Sequence, residues 1–297
     1  ALSLGDNPVR TPMTTAAVSS RLRAYARFIK LEHTIFSLPL IYAGALLGSE
    51  GWPSVRALWL ILFAAIGGRV MAMGLNRLID AEIDARNPRT KNRELPRGAM
   101  QRWEAWTIVV VAGALYAVSA AAIAPICLWL SPIPVVLFVI YPYLKRFTSL
   151  SHLGLGLAWS MAPLGGWLAA SQSLARFSDV VWLWLFSVLW VAGFDIIYAT
   201  MDEAFDRREG LHSLPAKAGK GQALRTALLL HAAAFVALLI LQRDVLRSPV
   251  GTLWLLVIGA LLVWQHRIAP RRPEFAFFHL NAVVGFLVFG LVLVSPR

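Results

Sequence analysis

Long apolar runs separated by short polar segments recur from residue 29 to residue 294. At roughly 18 to 25 residues each, they have the length of helices that cross a bilayer. Nine such spans are read from the pattern, at about 29–49, 55–80, 104–124, 127–144, 152–172, 179–201, 222–242, 249–268 and 275–294. The count drops to eight if 104–144 is one bent, shallow hairpin. Several spans contain Pro or Gly, for example Pro134, Pro142 and the stretch Met161-Ala162-Pro163-Leu164-Gly165-Gly166. Inside a bundle such kinks are tolerated, because neighbouring helices or water satisfy the freed backbone groups. The expected fold is all-α: an integral membrane bundle of nine helices forming one domain over residues 21–297. Residues 1–20 are polar and Pro/Thr-rich, and are expected to form a disordered tail without a signal peptide.

Composition agrees with this pattern. The chain is 58% hydrophobic and only 15% charged, too little charge to cover a soluble protein of 297 residues. A net charge of +12 could suggest nucleic acid, but the basic residues sit between the apolar runs, which fits membrane topology instead. With nine spans, the N-terminal segment and the loops after spans two, four, six and eight hold 21 Lys and Arg, against 5 on the opposite side. The positive-inside rule then places the N-terminus and those loops in the cytoplasm, with a bacterial inner membrane as the expected location. A single cysteine, Cys127, excludes an internal disulfide and a cysteine metal site.

Two acidic clusters stand out. Span two closes on Asn76-Arg77-Leu78-Ile79-Asp80-Ala81-Glu82-Ile83-Asp84, in which Asn76, Asp80 and Asp84 would share one face of a continuing helix. Span six ends on Asp202 and Asp206 at the same spacing, with Asp195 two turns earlier. Both clusters lie at helix C-termini, where the macrodipole disfavours carboxylates, and carboxylates four residues apart repel each other. Oxygen ligands in that spacing suit a hard cation such as Mg²⁺. Membrane-proximal acids can also simply pair with nearby Arg and Lys, and one cluster alone would not decide between these readings. Two matched clusters beside two basic loops favour cations held between them. Glu82 and Glu203 fall off the shared faces.

The loop from Arg86 to Gly98 is more basic than its acidic neighbours require, and Tyr141-Pro142-Tyr143-Leu144-Lys145-Arg146 adds cations at the same mouth. Carboxylates and cations together suggest a Mg²⁺–diphosphate site. No Gly-x-x-x-x-Gly-Lys-Ser/Thr loop occurs, which argues against a nucleotide as the phosphate source. Arg69 lies seven residues before Asn76 and so points into the same cavity from about 10 Å deeper. It either pairs with Asp195 at equal depth or holds an anionic group of a second substrate.

Taken together, Asn76-Arg77-x-x-Asp80-x-x-x-Asp84, Arg89-Thr90-Lys91-Asn92-Arg93, Tyr141-Pro142-x-x-Lys145-Arg146 and Tyr198-Ala199-x-x-Asp202-x-x-x-Asp206 resemble the UbiA superfamily of intramembrane prenyltransferases. The resemblance runs in order from about residue 28 to 294. It implies a helical bundle around a central cavity and two Mg²⁺ ions bridging to a prenyl diphosphate. Asn76, Asp80, Asp84, Asp202 and Asp206 would hold the metal. Lys91, Arg93, Lys145 and Arg146 would face the diphosphate, with Tyr141 and Lys145 as candidate catalytic groups. Arg69 would meet the carboxylate of an aromatic acceptor. Here Asn76-Arg77 replaces the commoner Asn-Asp start, which removes one possible ligand.

The chain looks most like the 4-hydroxybenzoate polyprenyltransferase branch. Lys30-Leu31-Glu32-His33-Thr34-Ile35-Phe36-Ser37-Leu38-Pro39 and Gly193-Phe194-Asp195-Ile196-Ile197-Tyr198 resemble a menaquinone sub-branch whose acceptor is a dihydroxynaphthoate. Both acceptors are aromatic carboxylates, so Arg69 does not distinguish them. Asp195 is the candidate to orient or deprotonate the phenol; Glu32 and His33 are secondary candidates at the entrance. The 12 Trp are expected mostly at lipid and interface belts, with some aromatic faces available to an allylic cation. A membrane carrier is the competing class, but carriers bind near the midplane within inverted repeats, whereas these charges gather at one mouth. No nucleic-acid or protein partner is implied.

Overall fold

The computed structural model describes residues 15–49 and 51–295, with side chains from residue 21 onward except residue 22 and residues 31–36. Helix α1 (Thr15–Ile29) begins inside the stretch expected to be disordered, so that expectation is corrected for residues 15–20; residues 1–14 lie outside the described residues. At Lys30 the backbone enters the left-handed region (φ 46°) and redirects the chain into α2 (Leu31–Gly48). The side chains of Glu32 and His33 lie outside the described residues.

Helix α3 (Val55–Ile79) starts with a Ser54 cap on the Ala57 amide and runs to the first acidic cluster, where the six-residue α4 (Ala81–Arg86) takes over. Helices α5 (Arg102–Ile123), α6 (Pro125–Leu130), α7 (Pro132–Leu144) and α8 (Ser151–Ser171) follow. Next come α9 (Val181–Ala199), the short α10 (Glu203–Arg208) and α11 (Leu214–Ala218), then α12 (Lys220–Ile240) and α13 (Pro249–Ile268). Helix α14 (Pro273–Phe275) passes through a π-helical turn, Ala276–Leu280, into α15 (Asn281–Leu293).

Among the described residues eight helical segments are long and apolar enough to cross a membrane: α3, α5, α6 with α7, α8, α9, α12, α13, and α14 with α15. The segment 104–144 therefore holds two such lengths and not one shallow hairpin. The remaining expected span, 29–49, corresponds to α2, whose described apolar part, Ser37–Gly48, is shorter. Exposed Trp52 and Trp129 sit near one end of the bundle and exposed Trp103 near the other, the placement of interfacial anchors.

The helices close around a cavity. Helix α3 packs on α5, α2 on α8, α8 on α9, α9 on α12 and α15 on α2. The largest buried cluster joins Leu40 and Leu47 of α2, Trp167 of α8, Leu183 and Phe186 of α9, and Val284 and Val288 of α15. Where α2 crosses α8, Gly44 and Gly166 let the backbones touch: a Cβ at either would lie 2.0 Å from a carbonyl oxygen of the other helix.

Candidate active site

The helix carrying the first cluster does not continue straight. Helix α3 stops at Ile79, and Asp80 adopts φ −93°, ψ 1°, in the bridge region. The i→i−4 ladder persists across this bend, with Asp80 N to Asn76 O at 2.9 Å and Asp84 N to Asp80 O at 2.8 Å. Asn76, Asp80 and Asp84 accordingly still line one cavity. The Ile79 carbonyl accepts from Arg146 Nη2 at 2.8 Å, so a cation caps the negative end of α3. Helix α9 ends at Ala199 and turns more tightly, with Asp202 N bonded to Ala199 O at 3.0 Å; α10 then starts from Asp202 (φ −105°, ψ 4°), and Asp206 N bonds Asp202 O at 2.8 Å. Just before that break, Thr200 Oγ1 donates to the Ile197 carbonyl at 2.7 Å, a local bond that competes with the helical ladder.

The two bends face each other across a cavity of about 790 Å³. On one wall, Asp80 Oδ2 accepts from Lys145 Nζ at 2.6 Å and from Asn76 Nδ2 at 3.2 Å, while Asp84 Oδ2 accepts from Arg93 at 2.6 Å. On the other, Asp202 accepts from Asn87 Nδ2 at 3.0 Å and from Arg89, whose guanidinium also reaches the Tyr198 hydroxyl and lies 4.6 Å above that ring. Burial raises the pKa of the Asp206 carboxyl, against a hydrogen bond from Ser213.

Several expected residues move. Lys91, expected to face the diphosphate, is exposed and does not line the cavity, because the turns after Asn87 point it to solvent. Arg146 lines a separate outer groove and comes within 3.7 Å of Asp80 Oδ1 from behind. Arg77 is no ligand: it forms a buried ion pair with Glu94 and lies 5.4 Å over the Phe28 ring, tying the basic loop to α1. Removing one partner of a buried pair strands the other charge, so Glu94→Ala should cost about 3–5 kcal/mol. A thermal midpoint in detergent unchanged from wild type would refute that structural role.

Deeper in, Arg69, Tyr141, Leu155 and Trp159 line both this cavity and a second, apolar one of about 390 Å³. Arg69 does not pair with Asp195, as one reading expected. Asp195 Oδ2 is bound by His152 Nδ1 at 2.7 Å, and Arg69 makes no hydrogen bond among the described residues, its Nε being buried without a partner. Trp159, Trp190, Phe194, Phe277 and Tyr198 add a wall of aromatic faces, with Trp190 and Phe194 edge to face at 5.1 Å. These two tryptophans belong to the cavity and not to a lipid belt.

The donors suit a hard divalent cation: four carboxylates and one amide, of which Asp80 Oδ1 is buried and lacks a hydrogen-bond partner. Among the described residues no three His, Cys, Asp or Glu side chains converge on one point: Asp80, Asp84 and Asp202 lean instead toward Lys145, Arg93, and Asn87 with Arg89, and Asp206 toward Ser213.

Residues 37–283 match the UbiA prenyltransferase family. The chain belongs to this family. A 4-hydroxybenzoate octaprenyltransferase of Marinobacter nauticus is 32% identical over 289 residues, covering 93% of this chain and 96% of the relative. The apo structure of a UbiA homolog from Aeropyrum pernix K1 superposes with a TM-score of 0.82 at 35% identity, covering 89% of this chain and 98% of that one. A UbiA homolog from Archaeoglobus fulgidus bound to DMAPP and Mg²⁺ shares the fold, with a TM-score of 0.70 at 18% identity over 91% of this chain and 99% of that one.

This UbiA-family chain is thus a prenyltransferase and an integral, multi-pass membrane protein, which sets aside the carrier reading. Four of its cavity residues, Asn87, Arg89, Lys30 and His152, carry no assigned role in the sequence. Asn87 and Arg89 had a partial signal: Asn-Pro marks a turn, and Asn87 Oδ1 indeed accepts from the Arg89 amide at 2.9 Å. Lys30 gave no sign of its left-handed backbone. His152 sits 43 residues from Asp195, and no local pattern links them.

Proposed function

We propose that the protein transfers a prenyl group from a prenyl diphosphate to an aromatic carboxylate acceptor in respiratory quinone biosynthesis. The acceptor is 4-hydroxybenzoate or a dihydroxynaphthoate, and the donor a polyprenyl diphosphate. The observation that carries this reading is Arg69, a guanidinium with a buried, unpartnered Nε at the junction of the charged and apolar cavities. A buried cation left without a partner is costly, and an acceptor carboxylate supplies one. The relative from Marinobacter nauticus is named for 4-hydroxybenzoate, an acid of this class.

In this reading Asn76, Asp80 and Asp84 would hold one Mg²⁺, and Asp202 and Asp206 would hold a second. When bound, the metal supplies positive charge to the diphosphate oxygens as the allylic C–O bond breaks. Lys145 and Arg93 leave Asp80 and Asp84 and neutralise the remaining oxygens, with Arg89 across the mouth. The electron pair of that bond departs with the diphosphate, and the aromatic wall faces the allylic carbon it leaves. Asp195 Oδ1 takes the hydrogen bond or the proton of the acceptor hydroxyl, so that the ring attacks the carbon through an activated position; the ring C–H bond then breaks and its proton passes to the released diphosphate or to water. The apolar cavity accommodates the isoprenoid, which continues sideways into lipid. The mouth faces the cytoplasm by the charge asymmetry of the loops.

The test is transfer of radiolabelled prenyl diphosphate to 4-hydroxybenzoate and, separately, to a dihydroxynaphthoate, with and without EDTA. Label should enter one acid in a Mg²⁺-restorable manner. Arg69→Ala should raise KM for the acid by about 10²-fold, the worth of a charge-assisted pair, while the diphosphate KM stays within a few-fold. An equal loss on both substrates would refute the assignment of Arg69, and no labelled acid product would refute the reaction.

A further inference from the structure

His152 is buried in the first turn of α8 and lines the charged cavity beside Asp195. Its two ring nitrogens have different partners. Nε2 lies 3.2 Å from the backbone nitrogen of Leu214, and Nδ1 lies 2.7 Å from Asp195 Oδ2. A backbone N–H only donates, so Nε2 is the lone-pair nitrogen and the ring hydrogen is on Nδ1. The short bond therefore runs from Nδ1–H to the carboxylate. It holds one oxygen of Asp195 and leaves Oδ1, which makes no hydrogen bond among the described residues, for the cavity.

The amide that sets this tautomer belongs to a segment tied to the other end of the site. Leu211 N donates to Asp206 O at 2.8 Å, His212 N donates to Lys145 O at 2.7 Å, and Leu214 N reaches His152. Within four residues, 211–214, the chain touches the backbone of a metal-side acid, the backbone of the cation that binds Asp80, and the imidazole that orients Asp195. These three bonds, of 2.8, 2.7 and 3.2 Å, join both walls of the charged mouth to His152.

We infer that His152 is a positioning residue for the acceptor step: it orients the Asp195 carboxylate toward the acceptor hydroxyl in a tautomer imposed by the Leu214 amide. Segment 211–214 thereby links the diphosphate end of the cavity to the acceptor end. This rests on the reading of Asp195 given under the proposed function. The alternative is that His152 only tethers the segment, with its bond to Asp195 incidental.

Two substitutions separate the roles. His152→Asn retains a donor near the Nδ1 position and loses the acceptor for Leu214; His152→Gln retains an acceptor near Nε2 and loses the donor to Asp195. If His152 works through Asp195, the Asn variant should keep kcat within about 10-fold of wild type, and the Gln variant should lose about 10²-fold in kcat with the KM for prenyl diphosphate unchanged. The reverse order, an equal loss in both, or no loss in either would overturn the inference. A second readout does not depend on turnover: ¹⁵N NMR of histidine-labelled protein, with the His152 signal assigned by its loss in His152→Asn. A protonated Nδ1 and bare Nε2 support the arrangement, and the opposite tautomer overturns it. If the wild type transfers no prenyl group to any aromatic acid, the functional reading fails while this measurement still decides the placement of His152.

Discussion

Replacing Asp80 or Asp202 by alanine is expected to lower prenyl transfer by about 10³-fold or more, the scale of removing a principal electrostatic group from a site that stabilises a leaving anion. Each carboxylate stands at the bend where a long helix gives way to a six-residue one, and each is held by cations drawn from distant segments. Without Asp80, Lys145 loses its 2.6 Å partner and the wall loses a buried carboxylate whose Oδ1 accepts no hydrogen bond among the described residues. The protein should still fold, because the bend at Asp80 is stabilised by backbone bonds and by Arg146 on the Ile79 carbonyl. Folding is checked by gel filtration in detergent and turnover by labelled product. Lys91→Ala serves as the internal control, since that side chain is exposed and off the cavity. Activity of Asp80→Ala or Asp202→Ala near that of Lys91→Ala would remove the metal–diphosphate reading of the mouth.

The second large effect concerns packing. Gly166→Ala would place a methyl group 2.0 Å from the backbone oxygen of Ile41, an atom that cannot turn away as a side chain could. The reciprocal contact, Gly44 against the Pro163 carbonyl at 2.0 Å, leaves the two helices no direction in which to yield locally. Overpacking of a close helix crossing costs about 1–3 kcal/mol and more where backbone must move, so Gly166→Ala should destabilise by about 3 kcal/mol or more. The adjacent Gly165 lines the apolar cavity, and a methyl group added there would meet no atom within 4 Å. Gly165→Ala should therefore be neutral or stabilise by up to about 1 kcal/mol through helix propensity. Thermal unfolding of the pair in one detergent compares them directly. Equal midpoints would mean that α2 and α8 are not packed backbone to backbone.

The bundle was legible from the chain because a membrane span leaves a strong local trace. Its length and apolarity are set by the bilayer, whatever the span packs against. The boundaries of α5, α8, α9 and α13 accordingly fall within a few residues of the expected spans. The acidic residues were legible for a related reason: charge beside a membrane is expensive, so two clusters at matched spacing stand out. Arg77 shows the limit of such reading. Its place inside a motif suggested a lost ligand, and its real partner, Glu94, lies seventeen residues on, across a loop whose course no local pattern records.

What the sequence determined by itself was the all-helical bundle, the pairing of two acidic helix ends with basic loops, and the depth of Arg69 beneath Asn76. All of these follow from short-range periodicity and from the cost of burying charge. Tertiary structure alone decided the partners. It gave Asp195 to His152 and left Arg69 without a hydrogen-bond partner among the described residues, turned Lys91 to solvent, brought Asn87 and Arg89 onto Asp202, and distinguished Gly166 from Gly165. The physical reason is that hydrogen bonds and van der Waals contacts act over a few ångströms between residues that the chain keeps far apart, and only the folded crossing of helices brings them within reach.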